Sequence, residues 1–124
     1  MHQFVLPFLA AIAAQSPGPP INVQPDVKPS MDMMKCVFDT VMPQARSDQD
    51  AHALVDAGIE ECSSYRATIL QAATRYVTQE RPEPATPEQL EAARKLAGDL
   101  EESVRRTTYN ALIYLRAHPE TAVK

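Results

Sequence analysis

Tryptophan is absent, glycine occurs only three times, and there are only two cysteines in 124 residues. With so little glycine the chain has no Gly-rich phosphate loop, and neither G-x-S-x-G nor H-E-x-x-H is present. The cysteines form no Cys-x-x-Cys pair and have no neighbouring histidine, so their spacing does not read as a zinc site. A catalytic cysteine needs a nearby base, and beyond the first residues only His52 and His118 are on offer. Basic residues are not clustered, and the formal net charge is -4. That excludes the electrostatic footprint of a DNA- or RNA-binding face and gives no attraction to an anionic membrane surface. The apolar run at residues 4–14 falls short of the roughly 20 residues a membrane-spanning helix needs.

What is present divides the chain in two. Proline is concentrated at Pro17, Pro19, Pro20, Pro25 and Pro29 and again at Pro82, Pro84 and Pro87. The stretches between are rich in Ala, Leu, Glu, Arg and Gln, which favour helix. The expected organisation is a signal peptide over residues 1–14, a disordered Pro-rich linker over 15–29, one helical domain over 30–118 and a frayed tail over 119–124. The apolar run has the length of a signal-peptide core, and Ala11-Ile12-Ala13 offers a small-x-small cleavage pattern, although no Lys or Arg precedes it. Export places the protein in the periplasm or outside the cell, with no membrane span after cleavage. In that setting an even pair of cysteines reads as a disulfide between Cys36 and Cys62.

Three helices are expected in an all-α domain. The first covers residues 30–42, with Ser30 as N-cap, Met33, Val37 and Val41 as its apolar stripe, and Pro43 as its stop. The second covers residues 47–79 without interruption. Ser47 caps it, and Ala51, Val55, Gly58, Cys62, Tyr65, Ile69, Ala72 and Tyr76 alternate steps of four and three, a continuous packing seam. The third covers residues 86–117, opened by a capping box at Thr86 and Gln89 with Pro87 at the first helical position. Its seam is Leu90, Ala93, Ala97, Leu100, Val104, Thr107, Ala111 and Tyr114. Glu91–Lys95, Glu101–Arg105 and Glu102–Arg106 are i,i+4 ion pairs on its outer face. A short turn folds helices two and three into a long antiparallel hairpin, and helix one packs on it as a three-helix bundle. For the two cysteines to meet, residues 43–46 are expected to run extended along helix two.

Candidate chemistry is sparse. Asp48, His52, Asp56 and Glu60 recur every fourth residue, a stripe with carboxylate and imidazole ligands for a divalent metal. The competing reading is a solvated acidic face that suits the helix dipole. Met31, Met33 and Met34 offer thioethers for Cu(I), or simply core filler. Glu101 with Glu102, and Asp48 with Asp50, are sequence neighbours that do not face each other, which argues against paired acid–base work. No catalytic residue and no cofactor are therefore assigned, and no enzyme is expected. At the hairpin's distal end Ile69, Tyr76, Val77 and Leu90 are apolar with no third helix to cover them. They form the expected interaction surface, for an unknown envelope protein or for a second copy.

Cys36, a short loop, Ser47-x-x-Asp50-Ala51, Val55-Asp56-Ala57 and Glu61-Cys62 together resemble small exported helical proteins common in proteobacteria. That resemblance covers about a third of the chain; it implies a disulfide and an envelope location, and no activity. Ala85-Thr86-Pro87-Glu88-Gln89 is similar to the Leu-Thr-x-x-Gln motif of the Spy/CpxP periplasmic stress chaperones, all-helical dimers, with Ala85 in place of the leucine. The acid-stress chaperone HdeA is likewise small, exported, helical and singly bridged, with a wider cysteine spacing. The functional expectation is a non-enzymatic exported protein that acts by protein–protein interaction in the cell envelope. A periplasmic stress chaperone and a metal-binding protein are the alternatives.

Overall fold

The computed structural model describes residues 24–120. The expected signal peptide, most of the Pro-rich linker and the last four residues lie outside the described residues. Within them the protein is all-helical: α1 (Lys28–Val41), a 3-10 turn (Met42–Gln44), α2 (Ala51–Glu61), α3 (Tyr65–Val77) and α4 (Pro87–Ala117). No described helix is long and apolar enough to cross a membrane.

α1 starts two residues before the expected cap. Pro29 sits in its first turn, where a missing N–H costs nothing, and Val27 precedes the helix without a side-chain cap. Ser30 is buried, and its hydroxyl donates to the Val27 carbonyl at 2.8 Å instead of accepting from a free amide. Met33, Val37 and Val41 are fully buried as the expected stripe.

The expected single helix over residues 47–79 is two helices. Its start moves to Ala51, and Arg116 takes the Ser47 and Gln49 carbonyls that a helix from Ser47 would use, together with that of Ala45. The Arg116 guanidinium donates to Ala45 O at 3.0 Å, Ser47 O at 3.1 Å and Gln49 O at 2.7 Å. Arg46 reciprocates, donating to Leu115 O at 2.6 Å and Pro119 O at 3.3 Å. Asp50, not Ser47, is the cap, and its carboxylate accepts from Ala53 N at 3.0 Å. The connection from α1 is thus a 3-10 turn and a series of bends rather than an extended strand.

A second interruption falls at Cys62–Ser64. Hydrogen bonds there tighten to i→i−3: Ser63 N to Glu60 O, Tyr65 N to Cys62 O and Arg66 N to Ser63 O, at 3.2, 3.2 and 3.0 Å. Two consecutive serines hold a regular helix weakly, and Cys62 is anchored from the side by the bridge, so the break forms where propensity is lowest and restraint highest. The later start of α2 also removes the length mismatch that called for an extended connector. Cys36 and Cys62 are disulfide-bonded with Cα atoms 6.0 Å apart.

α3 ends in a Schellman motif. Glu80 N reaches Arg75 O at 2.9 Å and Gln79 N reaches Tyr76 O at 3.1 Å. Gln79 and Glu80 both take positive φ, at 55° and 56°. α4 then opens on a complete capping box: Gln89 N donates to Thr86 Oγ1 at 3.1 Å and Thr86 N donates to Gln89 Oε1 at 2.9 Å.

Both α2 and α3 pack on α4 in the antiparallel sense, as His52 beside Tyr109, Asp56 beside Arg105 and Arg66 beside Glu101 show. α1 runs antiparallel to both in turn. A methyl group added at Gly58 would lie 2.6 Å from Val41 Cγ2 and 3.3 Å from Val37 Cγ1, Cys36 bridges to Cys62, and Asp26 pairs with Arg75 at 3.5 Å. α1 therefore reaches past the break onto α3 instead of staying at one end. On α4 the buried line runs Ala93, Val104, Thr108, Leu112, with Ala97 and Leu100 partly buried; the expected seam therefore holds from Ala93 to Val104, loses Leu90 to solvent and shifts by one residue after Val104. Tyr114 is 56% exposed and Ile113 41%, so the stretch around them is covered on one side only, not sandwiched as its apolar character implies.

Candidate functional site

Of the four candidate metal-stripe residues, the fold takes Asp48 off the helix and keeps His52, Asp56 and Glu60 along α2, each with its own neighbour. Asp48 lies in the bends before α2 and is exposed. The His52 ring stacks on Tyr109, with centroids 4.2 Å apart and planes 14° from parallel. Asp56 is paired with Arg105. Glu60 accepts from Arg66 Nη2 at 3.0 Å. No group of three or more His, Cys, Asp or Glu side chains that could hold a metal ion occurs among the described residues. The stripe is the polar rim of the α2–α4 contact, and its partners are cations and a ring on neighbouring helices. Met31 and Met33 likewise diverge, one 61% exposed and the other fully buried, which removes the thioether cluster.

Arg66 is the hub of the charged rim. Its Nε and Nη2 donate to both carboxylate oxygens of Glu101, at 2.7 and 3.2 Å, while Nη2 also reaches Glu60. The two-pronged geometry is the one a guanidinium offers and an ammonium cannot. Donating to Glu101 and Glu60 raises the Arg66 pKa further, and the Arg66 guanidinium holds Glu60 below the ordinary carboxylate value. Arg105 extends the chain of charge to Glu102 at 3.4 Å and to Glu101 at 3.7 Å. Two of the three expected outer-face pairs on α4 are replaced: Glu91 pairs with Arg94 at 2.9 Å while Lys95 turns to Asp99 at 3.0 Å, and Glu102 takes Arg105 rather than Arg106. On α1, Lys28 donates to Asp32 and Lys35 to Asp39, and these hydrogen bonds raise the pKa values of both lysines.

Beside this hub lies a shallow groove of about 220 Å³ between α3 and α4, lined by Arg66, Ile69, Leu70, Arg94, Ala97, Gly98 and Glu101. Leu70, 37% exposed, is its outward apolar side chain. A second open depression continues over Ala67, Leu70, Gln71, Thr74 and Arg75 on the outer face of α3. A third lies over the bridge, among Asp32, Lys35, Cys36, Asp39, Thr40 and Tyr65.

Of the expected interaction surface, Ile69 is a correction: it is 2% exposed and part of the core, because α1 reaches farther along the bundle than its connector implied. Tyr76 and Val77 are half-buried, and Leu90 is 39% exposed. Leu70, Arg66 and Gly98 were missed. Leu70 stands one position from the seam, and Gly98 shows as a helix-weakening residue in an otherwise strong helix former; neither reveals the groove until α3 and α4 are placed side by side.

Comparison of the chain with family models, with curated proteins and with solved structures returned no match.

Proposed function

We propose that this is an exported, non-enzymatic helical protein of the cell envelope that acts by binding protein. In this reading α2 and α3 together make one bent arm, α4 is the other arm of a hairpin, and α1 is stapled across the bend. The observation that carries it is the α3–α4 groove: apolar at its centre, charged at its edges and open to solvent. Small-molecule sites are normally deeper and enclose most of their ligand, whereas a shallow patch with an apolar centre and polar rim is the anatomy of a protein interface. The Cys36–Cys62 disulfide supports the compartment, since such bridges persist in oxidising surroundings.

The experiment has two parts. The full chain is expressed in a Gram-negative host, fractionated, and measured by mass spectrometry with thiol alkylation. The expected product is periplasmic, trimmed after Ala13 or Ala14, and resistant to alkylation. A full-length cytoplasmic product with two free thiols would reject the export reading. A photo-crosslinker placed at Leu70 is then compared with one at Glu83, an exposed position in the α3–α4 turn. Discrete adducts from position 70 alone are expected; equal labelling from both would reject binding through the groove.

One observation favours a chaperone as second reading. Val27, Met31, Leu70, Leu90, Ile113 and Tyr114 are all exposed large apolar side chains. A client-binding surface of this scattered kind would suppress aggregation of an unrelated unfolding protein at stoichiometric ratio, and failure to do so at neutral and acid pH would dispose of it.

A further inference from the structure

The face of α4 that borders the groove carries a charge pattern that reverses sign about its own centre. Counting out from Gly98, the residues three, four and seven positions away lie on the same side of the helix. Toward the N-terminus these are Lys95, Arg94 and Glu91; toward the C-terminus they are Glu101, Glu102 and Arg105. Each position on one side is matched by the opposite charge at the same distance on the other. A helix laid antiparallel on a copy of itself, with the two-fold axis at Gly98, brings every one of these charges against its opposite. Laid parallel, it would set like against like.

Two independent features sit on that axis. A methyl group built on Gly98 has nothing within 4 Å, so the backbone there is bare and open to close approach. The apolar groove formed by Ile69, Leu70 and Ala97 adjoins it, with the exposed Leu70 alongside. Together they make an apolar centre flanked by charged arms, which is how protein interfaces are built. The present partners of Glu91, Arg94 and Lys95 do not oppose exchange, whereas Glu101 and Arg105 keep Arg66 and Asp56 and meet the second copy beside them. Arg94 and Glu91 are 58% and 75% exposed and Lys95 and Asp99 are 77% and 65% exposed, a degree of solvation at which ion pairs hold weakly.

We infer that the protein forms a two-fold homodimer in which α4 packs antiparallel on α4 of a second copy, centred on Gly98. Arg94 then meets the second copy's Glu102, Lys95 meets its Glu101, and Glu91 meets its Arg105. The interface is isologous, so each pairing occurs twice. This deepens the protein-binding reading and rests on it. The two fail separately, because export is scored by location and oxidation, and self-association by sedimentation of the purified oxidised chain.

The test uses sedimentation equilibrium over a concentration series on the wild type, Arg94→Glu, Glu102→Arg and an equimolar mixture of the two variants. Both positions are exposed and neither belongs to the Arg66–Glu101 hub, so the fold is retained. In either variant alone two attractive pairs become repulsive, and association is expected to weaken on the order of tenfold or more. In the mixture both pairs are attractive again, one as the wild-type Arg94–Glu102 contact and the other with its signs exchanged, so heterodimers are expected to form about as tightly as the wild type. Gly98→Ala supplies the second readout: it weakens the dimer while raising the melting temperature of the dilute protein, because its methyl group is unopposed within one chain. A wild type monomeric at every concentration, a dimer indifferent to both charge reversals, or a mixture that fails to recover each overturns the inference.

Discussion

A methyl group added at Gly58 would press against Val41 and Val37 at 2.6 and 3.3 Å, whereas one added at Gly98 would meet nothing within 4 Å. The same residue type thus marks two differently built ends. Around Gly58, α1 and α2 close on Met33, Val37, Val41, Leu54, Val55 and Ile59, all buried, and the bridge sews them together. Around Gly98, the buried side chains of α3 and α4 are Ala72, Ala73, Ala93 and Ile69, with Ala97 and Leu100 partly buried, and the groove stays open. Bulky aliphatics bury more area per residue than alanine, so the first end supplies most of the hydrophobic stabilisation. The second relies on smaller side chains, and its groove stays open to solvent.

The largest expected effect comes from removing the staple. Replacing both Cys36 and Cys62 by Ala frees a loop closed across a sequence separation of 26. In the chain-entropy model that costs about 3.5 kcal/mol, read as a lower midpoint in chemical denaturation. Hydrogen exchange should rise first in α1 and around Ser63 and Ser64, and least along the α3–α4 hairpin. Uniform loosening would erase the contrast between the two ends.

Gly58→Ala probes the tight end at single-methyl scale. The nearest atoms belong to fully buried β-branched valines with one preferred rotamer each, so they yield poorly. Overpacking of about 1–3 kcal/mol outweighs the roughly 1 kcal/mol gained in helix propensity. The net expectation is destabilisation of up to about 2 kcal/mol. At the open end Gly98→Ala has only the propensity term, and the dilute protein should gain just under about 1 kcal/mol. Thermal melts of the two variants, taken in parallel, should move in opposite directions; movement in the same direction would mean that the two glycines do not differ as their surroundings indicate.

How much of this was legible in the sequence depends on whether the deciding interaction was local. The capping box at Thr86 and Gln89 was, because both partners lie within four residues and the motif states its own geometry. The Cys36–Cys62 pairing was, because only two cysteines are present. The break at Cys62–Ser64 was not: the three-four seam runs straight through it, and only the serine pair hints at weakness. The Ser47 carbonyl before α2 goes to Arg116, which lies far along the chain, and no local signal at Ser47 reveals that it is taken. The acidic stripe failed as a metal site for the same reason. Periodicity places Asp56 and Glu60 on one face, but Arg105 and Arg66 arrive from other helices to claim them.

The smallest effect expected is also the one with the clearest sign. Glu60 links the end of α2 to α3 across the break by accepting from Arg66, and its pKa is held below the ordinary value of 4.5 by that hydrogen bond and by the guanidinium charge. A carboxyl depressed in the folded state contributes stability above its unfolded pKa and loses it as pH falls through the folded value. The contribution is therefore complete near neutrality and fades from about pH 5 downward. Glu60 is 70% exposed, so solvent and salt screen the pair strongly. Glu60→Gln should melt slightly below the wild type at pH 7, and the two curves should merge as the solution is acidified; added salt should shrink the gap at neutral pH. Arg66, raised still higher, stays charged over this whole range and adds no slope of its own. A gap that widens in acid would mean that Glu60 acts through something other than its charge, and that the break between α2 and α3 is held by the disulfide and the serine turn alone.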